Sequence, residues 1–319
     1  MHKKLAQLIG IFVLGIGAAA HAQESVTRIV VAFPPGGPQD FVARTIAEEL
    51  GKSLDQTIIV DNRPGANGAI AAANILNSPA DGRTLWLTSA GAATINPSLY
   101  KNLGYDMAKD FAPVSLLANN AELLVTYSDH PANTAGEFLD SAKKSGEPLN
   151  MASTGTGSVP HMAIEQLRKA SGANLTHVPY KGAAPAIADV IGQHVEGLFA
   201  DTAGVINHVK GGKLKALGIA AQKRNDALPD VPTLHEQGLP NIDTNNWFAL
   251  FVNGKTAPDT VQTISKAVRK TLETPAVRDR LIASGAEPAF STPEELAEIV
   301  KHDTQKWRTL IQSAGITLD

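Results

Sequence analysis

The sequence predicts an α/β protein whose mostly parallel sheets, flanked by helices, are divided between two lobes. Short apolar runs typical of strands alternate with apolar residues at helical spacing through most of the chain. This order favours parallel strands joined by crossover helices. At 319 residues the chain is too long for one comfortable core and suits two lobes of about 150 residues each.

The first lobe opens with a β-α-β-α-β series. Its first helix is indicated by Val42, Ile46 and Leu50, which share one helix face at i, i+4 and i+8. The alanine-rich segment from Gly68 to Asn77 predicts the second helix. The strands predicted in this series are Arg28 to Phe33, Thr57 to Val60 and Thr84 to Thr88.

A second series of the same kind starts near Ala121. Its first helix begins at Thr134, and Glu137 three residues later completes the pattern of a capping box. The strands predicted in this series are Leu123 to Tyr127, Leu149 to Ala152, Leu175 to Pro179, Val195 to Ala200 and Leu214 to Ala220.

After a proline-rich stretch, Trp247 to Val252 predicts a returning strand, and the rest of the chain is helical. One of these helices starts at Thr292-Pro293-Glu294-Glu295, which combines an N-cap, a first-turn proline and an acid at the third position. Because these helices have no sheet of their own, they must pack on one of the lobes. If they pack on the first, the chain crosses between lobes near 121–125 and near 240–246. We therefore expect one lobe of residues 23–122 plus 246–319 and another of 123–245, with a hinge and a ligand cleft between them.

The N-terminal residues have the pattern of a signal peptide. A short basic region, His2 to Lys4, precedes an apolar run from Leu5 to Ala20 that is shorter than the ~20 residues of a membrane-spanning helix. Ala20-His21-Ala22 offers small residues at both positions that a signal peptidase reads, which predicts cleavage after Ala22 and a periplasmic location. With no cysteine in the sequence, we expect neither disulfides nor a lipidated cysteine.

Four junctions between a predicted strand and the following helix could hold a ligand, because backbone N–H groups and helix N-termini point outward there. Phe33 to Asp40 contains two glycines and a proline suited to the first helical position; it is either an anion-binding loop or a tight turn capped by Asp40. Ser153 to Ser158 offers four hydroxyls and two glycines ahead of His161, and the alternative is a flexible loop with Ser158 as N-cap. Ser89 to Thr94 and Asp201 to Gly204 are equally consistent with helix capping.

Other kinds of function lack a specific signal. Removing residues 1–22 takes away two lysines and no acid, so the formal net charge changes from -3 to -5, which argues against nucleic acid. No dinucleotide fingerprint, phosphate-binding loop, nucleophile elbow or zinc-binding His-Glu-x-x-His is present. We therefore expect no enzyme, no catalytic residue, no cofactor and no metal. The alternative is a hydrolase with His161 as base and Ser158 or Ser153 as nucleophile.

Four segments carry a resemblance that spans essentially the whole mature chain: Phe33 to Arg44, Val60 to Gly68 with Pro79 to Gly82, Ser153 to His161, and Val178 to Ala186. In this order they resemble the Bug-type receptors of tripartite tricarboxylate transporters. The resemblance implies a two-lobed, type II-like periplasmic binding protein fold. It also implies ligand contacts at Phe33, Pro35, Gly36, Gly37, Gln39, Asp40, Ser89, Thr94, Ser153, Thr154, Gly155, Thr156, Gly157, Ser158, His161 and Asp201.

The function implied is that of a monomeric receptor. It would capture a small carboxylate by cleft closure and deliver it to integral-membrane transporter components. The candidate loops contain no lysine or arginine, which favours a mono- or dicarboxylate, an amino acid or an aromatic acid over a tricarboxylate. Arg63 and Lys181 match family motifs, but we expect them to brace a loop or lie on the surface. The alternative is a sensor that passes the same ligand to a signalling partner.

Overall fold

The computed structural model describes residues 26–316. The predicted signal peptide, residues 1–22, lies outside this range. Among the described residues, no helix is both long and apolar enough to cross a membrane.

The chain forms two sheets and passes twice between them. The elements that begin the first lobe are β1 (Val26–Val31), α1 (Pro38–Leu54), β2 (Thr57–Asn62), α2 (Ala69–Leu76), β3 (Thr84–Ser89), α3 (Asn96–Leu99), α4 (Met107–Asp110) and β4 (Phe111–Asn119). A 3-10 turn (Ala66–Gly68) precedes α2 and a π-helical turn (Gly91–Ile95) precedes α3.

The second lobe follows without interruption, and the chain then returns to the first. The second lobe contains β5 (Glu122–Tyr127), α5 (Ala135–Ser145), β6 (Leu149–Ser153), α6 (Val159–Ser171), β7 (Leu175–Pro179), α7 (Ala183–Ile191), β8 (Gly197–Asp201), α8 (Thr202–Lys210) and β9 (Leu214–Ala220). The returning elements are β10 (Phe248–Asn253), α9 (Pro258–Glu273), α10 (Pro275–Ala283), β11 (Glu287–Pro288) and α11 (Pro293–Ala314).

Both sheets are mixed, whereas the alternation of strands and helices predicts mostly parallel ones. The first sheet has the order β11-β4-β10-β3-β1-β2, and only the β1–β2 and β1–β3 pairs are parallel. The second has the order β7-β6-β8-β5-β9, with β5 antiparallel to both of its neighbours. The reason is the double crossing. Strands β5 and β10 start at the cleft, where their neighbours end, so they run in the opposite direction.

Helices cover both faces of the first sheet, as the continuous burial of its strands requires. Alternate residues of one strand face opposite cores: Ile29 packs with α1, α9 and α10, and Val30 packs with α2 and α11. The C-terminal helix α11 places Trp307 and Ile311 in this second core, so it packs against the first sheet.

Helix starts follow the predicted capping chemistry closely. Thr292 and Glu295 form a complete capping box at α11. At α5, Thr134 accepts a hydrogen bond from the N–H of Glu137, but the Glu137 carboxylate accepts from Asn133 rather than from Thr134. Ser158 caps α6 by accepting from the N–H of His161.

Candidate ligand-binding cleft

The two crossings lie side by side and form the hinge. Ala121 and Asn245 are bridged in antiparallel fashion, and the N–H of Asn246 donates to the carbonyl of Asn120 at 2.8 Å. The side chain of Asn245 donates to that of Asn119 at 2.9 Å. Because both segments are short and paired, they suit a hinge between the lobes.

A cavity of about 60 Å³ lies beside the hinge, between the carboxyl ends of strands from both lobes. Its walls come from the β1–α1, β6–α6 and β7–α7 loops and from the ends of β3 and β8. The lining residues are Phe33, Pro34, Pro35, Gly37, Pro38, Gln39, Ser89, Thr154, Ser158, Val159, Lys181, Gly182, Ala183, Ala184, Pro185, Asp201 and Asn246.

The β1–α1 loop is held by Asp40 rather than left flexible. The buried Asp40 carboxylate accepts from the N–H of Gly36 at 2.9 Å and from Arg44 at 2.9 and 3.0 Å. Burial raises the pKa of Asp40, but these hydrogen bonds outweigh burial and lower it overall. Asp40 thus braces the turn as a carboxylate. The N-terminus of α1, with Gly37 as N-cap and Pro38 next, has no side-chain cap.

The β6–α6 loop rests on two stacked histidines. His161 and His177 lie with ring centroids 3.8 Å apart; Nδ1 of His161 accepts from the N–H of Gly157, and Nε2 of His177 lies 2.6 Å from the Ser153 hydroxyl. Burial lowers the pKa of His161 to about 3 and that of His177 to about 4. Both rings are therefore neutral at neutral pH and can hydrogen-bond to the loop without charge repulsion.

This arrangement differs from the one that a hydrolase would need. The Ser158 hydroxyl donates to the carbonyl of Gly155 at 2.7 Å and accepts from the backbone of His161, so it is not paired with the imidazole. Ser153 is paired with His177, but its side chain is fully buried and does not line the cavity. Neither serine has the exposed nucleophile and adjacent base that covalent catalysis requires.

Contacts between the loops hold the two lobes together around the cavity. Asn67 of the first lobe donates from Nδ2 to the carbonyl of Gly157 in the second at 2.7 Å. Asn67 has left-handed backbone angles, φ 44° and ψ 43°, which asparagine tolerates better than most residues. Val159 and Met162 of α6 pack in the apolar core that α2 and α11 share. The cleft is therefore closed.

The structure separates the predicted site residues into two groups. Lining the cavity are Phe33, Pro35, Gly37, Gln39, Ser89, Thr154, Ser158 and Asp201. The remaining ones are not among the lining residues: Gly36, Asp40, Thr94, Ser153, Gly155, Thr156, Gly157 and His161. Direct ligand contact by any of them stays a prediction.

Two polar lining residues were not in the predicted set. Lys181, expected on the surface or bracing a loop, is exposed but also lines the cavity beside the N-terminus of α7. Asn246 lies at the hinge and donates to the Asp201 carboxylate at 2.8 Å. The position of Lys181 just after strand β7 is the signal that could have identified it.

A larger groove, of about 500 Å³, opens elsewhere between α9, α10 and the segment after β9. Its lining includes three basic residues and three acidic ones: Lys223, Arg269, Arg278, Asp226, Glu273 and Glu287. Since these side chains are mostly exposed and their charges nearly cancel, we assign ligand binding to the smaller cleft. Within residues 26–316, no cluster of side chains is suited to a metal ion.

Two α/β lobes, a paired hinge and a polar cavity at the strand ends define a periplasmic solute-binding protein. The chain belongs to the tripartite tricarboxylate transporter receptor family, whose model matches residues 42–316. It is 30% identical to Protein BugT of Bordetella pertussis over 99% of this chain and 98% of that one. The predicted Bug-type resemblance and the two-lobed fold are thereby confirmed.

Solved structures agree with this assignment. Periplasmic binding protein BugD matches with a TM-score of 0.86 and 32% identity, over 92% of this chain and 99% of that one. Rpa4515 of R. palustris with adipate matches with a TM-score of 0.88 and 29% identity, over 93% and 99%. MatC of Rhodopseudomonas palustris with bound malate matches with a TM-score of 0.83 and 32% identity, over 90% and 99%.

Proposed function

We propose that this protein is a periplasmic receptor that captures a small carboxylate by closing its two lobes and delivers it to the membrane components of a tripartite tricarboxylate-type transporter. The observation that supports this proposal most strongly is the small polar cavity, which loops of both lobes enclose. The chain also belongs to a receptor family. A ligand that touches both sides only when the cleft is closed shifts the equilibrium toward the closed form. That form would then dock on the membrane components.

The chemistry of the cavity supports a carboxylate. Ser89, Thr154 and Ser158, which carry hydroxyls, are among the lining residues, and so is the cationic Lys181. The uncapped N-terminus of α1 and that of α7, whose N-cap is Gly182, add backbone N–H groups and a favourable helix dipole. One lysine and a small volume favour a mono- or dicarboxylate, an amino acid or an aromatic acid.

The remaining parts of the proposal follow from the sequence. Residues 1–22 would direct export and be removed after Ala22. Residues 23–122 with 246–319 and residues 123–245 would form the two lobes. We expect the receptor to act as a monomer and to leave its ligand chemically unchanged.

Thermal melting against a panel of carboxylates tests the proposal. Malate, adipate, succinate, aspartate and benzoate serve as probes, with a sugar and a metal salt for comparison. A ligand present at about 100 times its Kd adds about 2.7 kcal/mol to the free energy of unfolding, so a binder raises Tm clearly. Product analysis of each binder tests for turnover.

A matched pair of variants locates the site. Ala184 and Ala188 are both exposed and lie one turn apart on α7, but only Ala184 lines the cavity. We expect A184F to fill the cavity and abolish the ligand-induced shift, and A188F to keep it. A shift produced only by the sugar or the metal salt, or one that survives A184F, would contradict the proposal, and so would turnover of a binder.

A further inference from the structure

Two carboxyl groups lie together where the cavity meets the hinge. Glu122 of β5 and Asp201 of β8 are directly paired across antiparallel strands, so their side chains share one face with Cβ atoms about 4.5–5.5 Å apart. Glu122 is 0% exposed and Asp201 is 7% exposed. Asp201 lines the cavity, and Glu122 is packed behind it.

The surroundings do not compensate two negative charges. Asn246 donates its side-chain N–H to Asp201, and among the described residues no cation is paired with either carboxyl group. Two adjacent buried carboxylates without a cation are strongly unfavourable, and one proton between them removes a charge and supplies a hydrogen bond. Burial raises the pKa of Glu122 well above its ordinary value, and Asp201 raises it further; burial also raises the pKa of Asp201 above its ordinary value.

Polar and charged groups surround the pair on each of the neighbouring elements. From the β7–α7 loop, Lys181 lines the cavity; from α1, Gln39 lines it, and the adjacent Asp40 is paired with Arg44. From β6–α6, Thr154, Ser158 and Val159 line it, and His161 behind them has its pKa lowered to about 3 by burial. Asn120 and Asn246 of the hinge are uncharged, and His208 and Lys210 of α8 are in its last turn.

We propose that the Glu122–Asp201 pair takes up one proton together with the ligand carboxylate, so that Asp201 contacts this carboxylate as a hydrogen-bond donor rather than as an anion. The inference rests on the proposed function and extends it. The proton comes from solvent and is bound by the Asp201 carboxyl; no covalent bond changes. Glu122, already protonated, keeps a hydrogen bond to Asp201 and positions it.

The sign of the pH dependence follows directly. The negative charge of a bound carboxylate favours protonated Asp201, so binding takes up a proton wherever the free receptor lacks one. Affinity is therefore greatest where the free receptor already holds this proton, and it falls up to tenfold for each pH unit above the raised pKa of the pair. An anionic Asp201 that accepts from a ligand ammonium group would give the opposite slope.

Calorimetry on the wild-type protein provides the main test. Malate and adipate, together with any stronger binder from the panel, are titrated at about pH 8 in buffers of different ionisation enthalpy. Kd is then measured from about pH 6.5 to 8.5, where the ligand carboxylates stay ionised. We expect uptake of close to one proton per ligand and a Kd that rises through this range. Binding with no proton uptake, or with release, would overturn the inference alone; no carboxylate binding at any pH would overturn the proposed function as well.

Three variants assign the proton to the pair. D201N stays neutral and still offers N–H donors, so we expect binding without pH dependence and tighter than wild type at about pH 8.5. E122Q keeps a neutral hydrogen-bond donor beside Asp201, as protonated Glu122 does, so its pH dependence should stay close to that of the wild type. K181Q changes the other charged group of the cavity and should weaken binding equally at every pH. A wild-type pH slope in D201N would overturn the inference.

Discussion

The hydrogen bond from Asn67 to Gly157 joins the two lobes in the closed form. A change at Asn67 therefore tests how strongly this contact favours closure. Replacing Asn67 with glycine removes the donor that contacts Gly157 at 2.7 Å and Asn96 at 2.8 Å. Glycine keeps the left-handed backbone at φ 44°, whereas alanine there would add about 1–2 kcal/mol of strain. N67G therefore separates the loss of the side chain from a change in backbone conformation.

The expected change in Kd depends on which of the two hydrogen bonds of Asn67 crosses the cleft. The bond to Asn96 lies within the first lobe and affects open and closed forms alike. The bond to Gly157 favours the closed form by about 0.5–1.5 kcal/mol, so its loss weakens ligand binding about 2- to 10-fold. We expect this change in Kd together with a modest decrease in Tm.

Calorimetric Kd values for N67G and N77G test whether the contact with Gly157 favours closure. Asn77 is exposed at the end of α2, and its side chain donates only to Ala73 within the same lobe, at 2.8 Å. N77G should therefore leave Kd unchanged while changing stability slightly. If N67G binds as tightly as wild type, or if both variants lose affinity equally, the contact with Gly157 does not control closure.

Three further predictions concern stability. The pKa values of His161 and His177, about 3 and 4, lie below the ordinary value near 6.5. Between each lowered pKa and about pH 6.5, the unfolded chain therefore binds more protons than the folded one. Stability should then fall as pH drops below about 6.5, by up to about 1.4 kcal/mol per pH unit for each histidine, and H177Q should flatten the dependence of Tm on pH; an unchanged profile would contradict this. T292A should lose about 0.5–2 kcal/mol in urea unfolding because it removes the α11 cap, and T292S should restore most of it. L250A, at a fully buried position in β10, should cost about 2–5 kcal/mol, whereas I59A, 45% exposed on the edge strand β2, should cost less than about 1 kcal/mol; comparable losses would refute the assigned core.

Most strands were predictable because apolar runs and turn residues mark them, but β4 was not. This strand, Phe111–Asn119, contains Pro113, which lacks an N–H for the ladder and argues against a strand. The structure accommodates Pro113 where the pairing with β10 shifts in register, opposite Phe251. The two-residue β11 is too short to show any periodicity.

The cleft was predictable in outline because strand-to-helix loops have a known place in α/β sheets. The pairing of Glu122 with Asp201 was not, since it depends on the register of two strands far apart in sequence. The stacking of His161 on His177 likewise joins a helix and a strand whose separation in the chain gives no sign of contact. Local chemistry therefore identified the loops, and tertiary register decided which side chains face the cavity.

The apolar contact of α6 with the first lobe sets how quickly a captured molecule can leave. Val159 and Met162 lie in one core with Leu99 and Trp307, so opening the cleft exposes apolar surface on both lobes. Re-exposing a buried aliphatic side chain costs about 1.5–3 kcal/mol, which is independent of the cargo. Residence time therefore includes a barrier that all cargoes share, and a weakly held molecule can stay longer than its own hydrogen bonds would allow.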